Sequence, residues 1–238
     1  MEILRLKSIP STNSALLEMS KKSAKSWTAV WTSHQTSGRG YAGNVWVSQK
    51  DKNIAVSVLI DSELGYDELI YFNQWAAVCI RNFLSDYISD IYVKWPNDIL
   101  AHNKKIVGVL IETHKSHNSL KIILGIGLNV NQKEFPDLTH ASSLALLGGK
   151  DFDLEEILSG LLTNLKNHYW VVENKNWKTI LEDYNHYLFR RDQISLFKIN
   201  DEIQQGIIRK VDEKGLLWVE FEKGNLQSFQ HKEIEMIY

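Results

Sequence analysis

Two segments rich in β-branched and apolar residues, 105–113 and 119–130, lie on either side of a five-residue polar turn, 114–118. A turn this short joins neighbouring antiparallel strands, because a parallel crossover needs a dozen or more residues. Two further β-rich segments, 27–33 and 54–60, flank a glycine-rich loop. The pattern therefore predicts a mixed or antiparallel sheet.

Helical patterns accompany these strands. Ser11, Thr12 and Asn13 precede an apolar pattern and are suited to the start of a helix. Residues 66–88 follow a helical pattern, and between 153 and 187 apolar residues recur at helical spacing in two blocks. The fold class that follows is α+β, with the sheet backed by helices.

The last fifty residues contain four short β-rich segments separated by turns. They are 204–211, 215–222, 225–230 and 233–237. This is the pattern of a small barrel, and no proline- or serine-rich linker precedes it, so we expect it to pack directly on the main domain. We therefore divide the chain into a domain at 1–188 and an SH3-like β-barrel at 189–238.

Composition narrows the class of protein. The 238 residues are 44% hydrophobic and 24% charged, which is enough apolar surface for a buried core. The formal net charge of -2 gives no broad basic field that would favour nucleic acid or a membrane surface. The single cysteine, Cys79, lies in an apolar helical pattern, which fits a reducing compartment. With no long apolar run near Met1, we expect a cytoplasmic protein.

Polar side chains are concentrated beside one predicted strand. After the β-rich residues 91–93 the chain reads Lys94-Trp95-Pro96-Asn97-Asp98, and the next β-rich segment opens with Lys105 and contains Gly108. Such a density of polar groups at a strand end is typical of a binding or catalytic site. Taken alone, the same residues are also explained by an Asn-Asp turn and a solvated lysine.

Two glycine-rich segments accompany this strand. The loop 33–46 contains Gln35, Gly38-Arg39-Gly40 and Trp46, so backbone N–H groups and a guanidinium can converge on an anion. It matches neither the dinucleotide fingerprint nor the P-loop, and a plain turn also explains it. The segment 125–131 contains Gly125, Gly127 and Asn129, and it either brings bare backbone close to a flat ligand or forms a strand bulge.

In their order and approximate spacing these motifs resemble one family, the biotin protein ligases, which attach biotin to a lysine of carboxylase carrier domains. The motifs are Ser11-Thr12-Asn13, Gln35 with Gly38-Arg39-Gly40, Lys94-Trp95-Pro96-Asn97-Asp98, Lys105 with Gly108, and Gly125-Ile126-Gly127-Leu128-Asn129. The resemblance runs from residue 3 to the end and implies a fold like that of class II synthetases and biotinyl-lipoyl ligases. It implies that biotin and ATP, with Mg²⁺, form biotinyl-5′-AMP, from which biotin passes to the carrier lysine.

The resemblance assigns roles residue by residue. Lys105 and Arg39 are the implied catalytic residues, with Lys105 able to contact both the biotin carboxylate and the α-phosphate. The implied biotin-binding residues are Ser11, Thr12, Asn13, Gln35, Gly38, Arg39, Gly40, Lys105, Gly108 and Gly125. The implied nucleotide-binding residues are Tyr41, Trp46, Asn97, Asp98, Lys105 and Asn129. Asp98 is also the implied ligand of Mg²⁺.

The sequence departs from the family pattern in two ways. Tyr41 stands where many members carry a second arginine, and Asn44 where another basic residue is common. We therefore expect weaker retention of the adenylate, unless Arg39, Lys94 or a residue outside the motifs compensates. The motifs begin at Ser11, so we expect a monofunctional ligase without the N-terminal DNA-binding domain of some members.

The implied partner is the biotin carboxyl carrier protein of acetyl-CoA carboxylase or of a related carboxylase, with no DNA or membrane partner and with homodimerisation left open. Three alternatives stay open. A lipoate ligase shares the fold and the adenylation chemistry. A catalytically weakened biotin-binding or regulatory protein is suggested by Tyr41. A structural β-barrel adaptor leaves the ordered motifs unexplained.

Overall fold

The computed structural model describes residues 1–22, 24–40, 43–116 and 119–238. Seven strands form the first sheet. They are β1 (Glu2–Arg5), β2 (Thr28–Thr32), β3 (Ile54–Ser62), β4 (Ile91–Lys94), β5 (Asp98–Ala101), β6 (Lys104–Ser116) and β7 (Ser119–Leu128). Their order in the sheet is β1-β2-β3-β7-β6-β5-β4, with β1 and β2 parallel and the other neighbours antiparallel. The predicted mixed sheet is confirmed.

Helices cover both faces of this sheet. They are α1 (Thr12–Ser20), α2 (Leu69–Leu84), α3 (Leu144–Gly148), α4 (Leu154–His168), α5 (Trp170–Glu173) and α6 (Trp177–His186). Ser11 caps α1 by accepting a hydrogen bond from Ser14 N, as the sequence predicted. The helix predicted at 66–88 is shorter, because a 3₁₀ turn occupies Tyr66–Glu68 and α2 ends at Leu84.

The alternation of strand β3 separates two apolar layers. Leu59 packs with Leu16 of α1 and Ile123 of β7, whereas its neighbours Val58 and Ile60 belong to the larger core that includes α2 and α4. Successive strand residues point to opposite faces, so one strand can serve both layers. This arrangement fixes the start of α1 over β3, β6 and β7, where the polar motifs lie.

The tail forms a second sheet of five antiparallel strands. They are β8 (Ile194–Ile199), β9 (Glu202–Val211), β10 (Leu217–Glu220), β11 (Leu226–Phe229) and β12 (Glu235–Ile237), in the order β11-β10-β9-β8-β12. The predicted small β unit is confirmed, and the described strands β11 and β12 are edges that do not pair with each other. Trp95 Nε1 donates to Gly215 O at 3.0 Å, which joins the two sheets directly. The boundary at residue 188 stays a prediction.

Several short elements were not predicted. Strand β1, strand β5 and helix α3 have only four or five residues, too few to show a period, and β8 was missed as well. Asn97 and Asp98 look like a turn in the sequence, but Asp98 begins strand β5. Across the described ranges, no helix combines the length and the apolar character needed to cross a membrane.

Candidate functional site

The predicted motifs converge on one cavity of about 120 Å³, between the start of α1, residues 35–40 and 44–46, and strands β5 to β7. We call it the main cavity. The predicted residues that line it are Ser11, Thr12, Asn13, Gln35, Arg39, Gly40, Trp46, Asn97, Asp98, Lys105, Gly108 and Gly125. Segments that are far apart in the chain therefore contribute to a single site.

Three predicted residues do not line the main cavity. One is Gly38, where a Cβ atom would come 2.4 Å from the backbone oxygen of Trp46, so this close approach requires glycine. Asn129 lines an adjacent cavity of about 270 Å³ together with Trp46 and Lys105. Tyr41 lies outside the described residues, and the weaker retention of the adenylate stays a prediction.

A buried polar network forms one wall of the main cavity. Thr12 donates from its backbone N and its Oγ1 to Gln35 Oε1, at 2.8 and 3.2 Å. Ser57 Oγ lies 2.7 Å from Thr12 Oγ1 and also hydrogen-bonds Asn13 Oδ1. Asn13 Nδ2 donates to Glu112 Oε2 at 2.7 Å. These bonds fix the side chains before any ligand arrives.

Glycines form the floor. A Cβ atom on Gly125 would come 2.2 Å from Asn13 Oδ1, and one on Gly127 would come 2.4 Å from the ring of Trp46. Gly108 and Gly127 are direct partners across β6 and β7, so they make a flat surface on which the Trp46 ring lies. Strand β7 keeps its register with both neighbours, so the alternative interpretation of this segment as a strand bulge is wrong.

Two ion pairs lie at the site. Lys105 Nζ lies 2.7 Å from Asp98 Oδ1, and Arg39 Nη2 lies 3.0 and 3.1 Å from the two carboxylate oxygens of Glu112. Lys105 stands at a register shift between β5 and β6, an irregularity that redirects a side chain. Its backbone N donates to His140 O at 2.7 Å, which holds the strand at this point.

Asn97 is buried and its amide nitrogen is already used. Nδ2 donates to Val109 O at 3.1 Å and to Asn73 Oδ1 at 3.3 Å, so this side chain joins α2 to β6. No group of three or more candidate metal ligands occurs among the described residues. Asp98 as a ligand of Mg²⁺ stays a prediction. A single carboxylate suits this ion, because Mg²⁺ is usually bound by one or two carboxylates together with substrate phosphates.

Two polar atoms beside the adjacent cavity have no protein partner. Asn129 Oδ1 and Trp46 Nε1 are buried and lack a hydrogen bond within the described ranges, although Asn129 Nδ2 donates to Ser142 O. An unsatisfied buried polar atom costs about 1–3 kcal/mol. A donor and an acceptor are thus available to a ligand between these residues.

Sequence reasoning missed several residues of the site. Ser57 and Glu112 lie on β3 and β6, and their roles depend on cross-strand packing that no local motif reveals. His231 reaches the main cavity from the second sheet. Burial lowers the pKa of His231, and the nearby Lys232 and Lys94 add to this effect, while Asp98 opposes it.

The fold and the cavity together define an α+β protein with a preformed ligand site. Residues 6–129 match the family model described as the Biotin/lipoate A/B protein ligase family, and the chain belongs to this family. The resemblance to the biotin protein ligases inferred from the motifs is confirmed.

Named relatives support the same family. The bifunctional ligase/repressor BirA of Bacillus subtilis is 30% identical over 167 residues, which cover 68% of this chain and 51% of that protein. The chain thus spans about half the length of this relative. The biotin–[acetyl-CoA-carboxylase] ligase of Mycobacterium tuberculosis is 27% identical over 213 residues, which cover 87% of this chain and 79% of that one.

Solved structures agree with the fold. The biotin protein ligase from Aquifex aeolicus in complex with biotin and ATP has a TM-score of 0.81 and 26% identity to this chain, covering 99% of this chain and 98% of that chain. A biotin-bound mutant of the same ligase has a TM-score of 0.80 at 27% identity, covering 100% and 98%. The likeness extends over both sheets.

Proposed function

We propose that the protein is an ATP-dependent biotin protein ligase. It forms biotinyl-5′-AMP from biotin and ATP and then transfers biotin to a lysine of a biotin carboxyl carrier protein. The observation that carries the proposal is the convergence of the Lys105–Asp98 pair, the Arg39 loop and the polar wall at Thr12 on one cavity. The likeness to a ligase structure that contains biotin and ATP supports it.

The polar wall suits the bicyclic end of biotin. Ser11, Thr12 and Gln35 offer hydroxyl and amide groups, and Val109 and Ile126 line the same cavity with apolar surface. A neutral ureido ring needs a few placed hydrogen-bonding groups in an otherwise apolar pocket. The bare backbone at Gly125 leaves room for the side chain of Asn13, which lines the same cavity.

The adjacent cavity suits a nucleobase. An adenine carries an amino donor and ring-nitrogen acceptors, which match the unpaired Asn129 Oδ1 and Trp46 Nε1. The Trp46 ring offers a face or edge for aromatic contact. Trp46 and Lys105 line both cavities, which supports a base on one side of Lys105 and biotin on the other.

The chemistry needs positive charge where two anions meet. An oxygen of the biotin carboxylate attacks the α-phosphorus, the bond to the bridging oxygen breaks and pyrophosphate leaves. The carrier lysine amine then attacks the acyl carbon, loses a proton and expels AMP. Lys105 and Arg39 lie where they can stabilise the developing negative charge. Mg²⁺ would add charge neutralisation on the phosphates, with Asp98 as the carboxylate that holds it.

The acceptor that we propose is the carrier protein of acetyl-CoA carboxylase or of a related carboxylase. The M. tuberculosis relative, whose name specifies acetyl-CoA carboxylase, supports this choice. Cys79 is a buried free thiol, which fits the proposed cytoplasmic, reducing location.

Substrate-dependent release of pyrophosphate tests the proposed function. The purified chain is incubated with Mg-ATP and either biotin, lipoate or neither, and pyrophosphate is measured. We expect release only with biotin. Equal or greater release with lipoate would instead make the protein a lipoate ligase, and biotin binding without any release would make it a binding protein.

A further inference from the structure

Lys94 is a half-buried cation at the end of β4 whose role the family motifs leave open. It lines the main cavity, and burial lowers the pKa of its ammonium, with Asp98 and Glu235 opposing this effect and Lys105 adding to it. Lys105 is already neutralised by Asp98 at 2.7 Å, whereas Lys94 forms no ion pair with a carboxylate in the described part of the chain. A half-buried ammonium that lines a cavity, with no carboxylate in direct contact among the described residues, is suited to an anionic ligand.

Lys94 contacts a second cavity, separate from the one proposed for the nucleobase. Lys94 also lines a cavity of about 310 Å³ between the two sheets, which we call the inter-sheet cavity. Its charged or titratable lining residues are Lys94, His231, Lys232 and Glu235. Three of these four can carry positive charge, and Lys94 and His231 line the main cavity as well. The two cavities are therefore adjacent, and the ammonium of Lys94 lies at their junction.

Tyr238 supports Lys94 from the second sheet. It follows β12 directly, and Lys94 Nζ lies 5.3 Å from the centroid of its ring, within cation–π range. The same ring packs against His140 with centroids 5.0 Å apart. His140 O accepts the hydrogen bond from Lys105 N, so Tyr238 touches one lysine and the segment that holds the other.

We propose that Lys94 binds the β- and γ-phosphates of ATP and the pyrophosphate that leaves, with Tyr238 as the residue that positions its ammonium. This inference rests on the proposed function. Lys105 lies between the biotin and nucleobase sides and takes the α-phosphate. The remaining phosphates extend past Lys94 towards the inter-sheet cavity, which Lys232 also lines. Lys94 thereby supplies positive charge that Tyr41, in place of an arginine, does not.

Calorimetric binding of three probes tests the proposal. ATP, pyrophosphate and adenosine are titrated at fixed salt and Mg²⁺ into the wild type and Lys94→Met. We expect Lys94→Met to lower the affinity for ATP and for pyrophosphate at least about tenfold, which corresponds to the loss of a charge-assisted hydrogen bond. The affinity for adenosine should stay unchanged. Lys178→Met, which removes an exposed lysine on α6, is the matched control and should bind all three as the wild type does.

A second set of variants tests the role of Tyr238. Tyr238→Leu should weaken ATP and pyrophosphate about threefold, because the cation–π contact is lost, and Tyr238→Phe should bind like the wild type. In a protein that already carries Lys94→Met, Tyr238→Leu should cause no further loss of affinity for ATP or pyrophosphate. A purely structural role predicts instead that adenosine affinity falls in parallel and that the two losses add.

The outcomes separate this inference from the proposed function. The role of Lys94 would be overturned if Lys94→Met left the affinities for ATP and pyrophosphate unchanged. It would also be overturned if the affinity for adenosine fell by the same factor. Equal losses in the leucine and phenylalanine variants would overturn the role of Tyr238. A wild type that binds ATP and pyrophosphate through Lys94 but releases no pyrophosphate with biotin would contradict only the ligase proposal. A wild type that binds neither probe would contradict both.

Discussion

The ammonium of Lys105 lies 2.7 Å from the carboxylate of Asp98, although the strand partner of Asp98 is Gly108. The register shift between β5 and β6 makes this possible, because it places Lys105 opposite Leu100 while its side chain reaches back along the sheet. Both side chains remain partly open to the cavity, 34% and 24% exposed. An anionic ligand must therefore compete with Asp98 for Lys105.

Asp98→Asn should separate binding from chemistry. Without the carboxylate, Lys105 is free to meet the biotin carboxylate, so we expect biotin affinity in the absence of ATP to rise about threefold. Pyrophosphate release should fall at least about tenfold, because the proposed Mg²⁺ ligand is lost. Biotin titration and a release assay measure the two effects. Asp90→Asn, in the pair with His102 at the end of β4 and β5 remote from Asp98, is the control. A variant with weaker biotin binding and full activity would contradict this account.

Gly125→Ala should destroy the biotin side of the site. The added methyl group would meet Asn13 Oδ1 at 2.2 Å, so Asn13 or the strand must move. We expect a loss of biotin affinity of more than about tenfold and a fall in the free energy of unfolding of about 1–3 kcal/mol. Gly148→Ala, where the nearest atom is 3.3 Å away on the Phe152 ring, should change neither quantity much. Biotin affinity equal to that of the wild type in Gly125→Ala would exclude this wall as the ligand site.

Asn129→Ala should weaken adenosine binding about tenfold, because it removes the unpaired acceptor beside Trp46. Asn131→Ala is the matched control. Asn131 accepts from Phe152 N and donates to Phe152 O, so its loss should lower stability while adenosine binding stays intact. Titration calorimetry and urea unfolding distinguish the two variants. Equal effects of both on adenosine affinity would refute a specific contact from Asn129.

Alkaline pH should destabilise the fold through Cys79. Burial raises the pKa of this thiol to about 12, whereas an unfolded thiol titrates near about 8.5. The folded state therefore binds the proton more tightly, and this contribution is complete below about pH 8 and is lost as the pH rises towards 12. The wild type should lose stability more steeply than Cys79→Ala between pH 9 and 11, by up to about 1.4 kcal/mol per pH unit. Parallel slopes in urea unfolding would show that Cys79 does not contribute.

The long elements of the fold follow from the sequence, and the short ones do not. Strands β6 and β7 and helix α4 show many periods of a pattern, so their positions are visible without tertiary information. Strand β1 has four residues and is stabilised by parallel pairing with β2, which only the folded chain provides. Strand β5 starts with Asp98, and the polar residues at this point resemble a turn.

The residues of the site also divide into those that the sequence predicts and those that it does not. Ordered motifs placed twelve of the candidate residues around the main cavity, because each motif carries several polar or glycine positions. Glu112 and Ser57 were missed, since each is a single polar residue within a β-rich segment. His231 and Tyr238 were missed because they reach the site from a second sheet more than a hundred residues along the chain from β5.

The measurement that tests the central claim most directly is transfer of labelled biotin from Mg-ATP and biotin to a purified biotin carboxyl carrier domain. Wild type, Lys105→Met and Lys104→Met are compared. Lys104 is the adjacent lysine, and its Nζ donates to Thr139 O away from the main cavity, so it is the matched control. We predict transfer by the wild type and by Lys104→Met, and a rate about a hundredfold lower in Lys105→Met. No transfer by folded wild type, or an undiminished rate in Lys105→Met, would contradict the account.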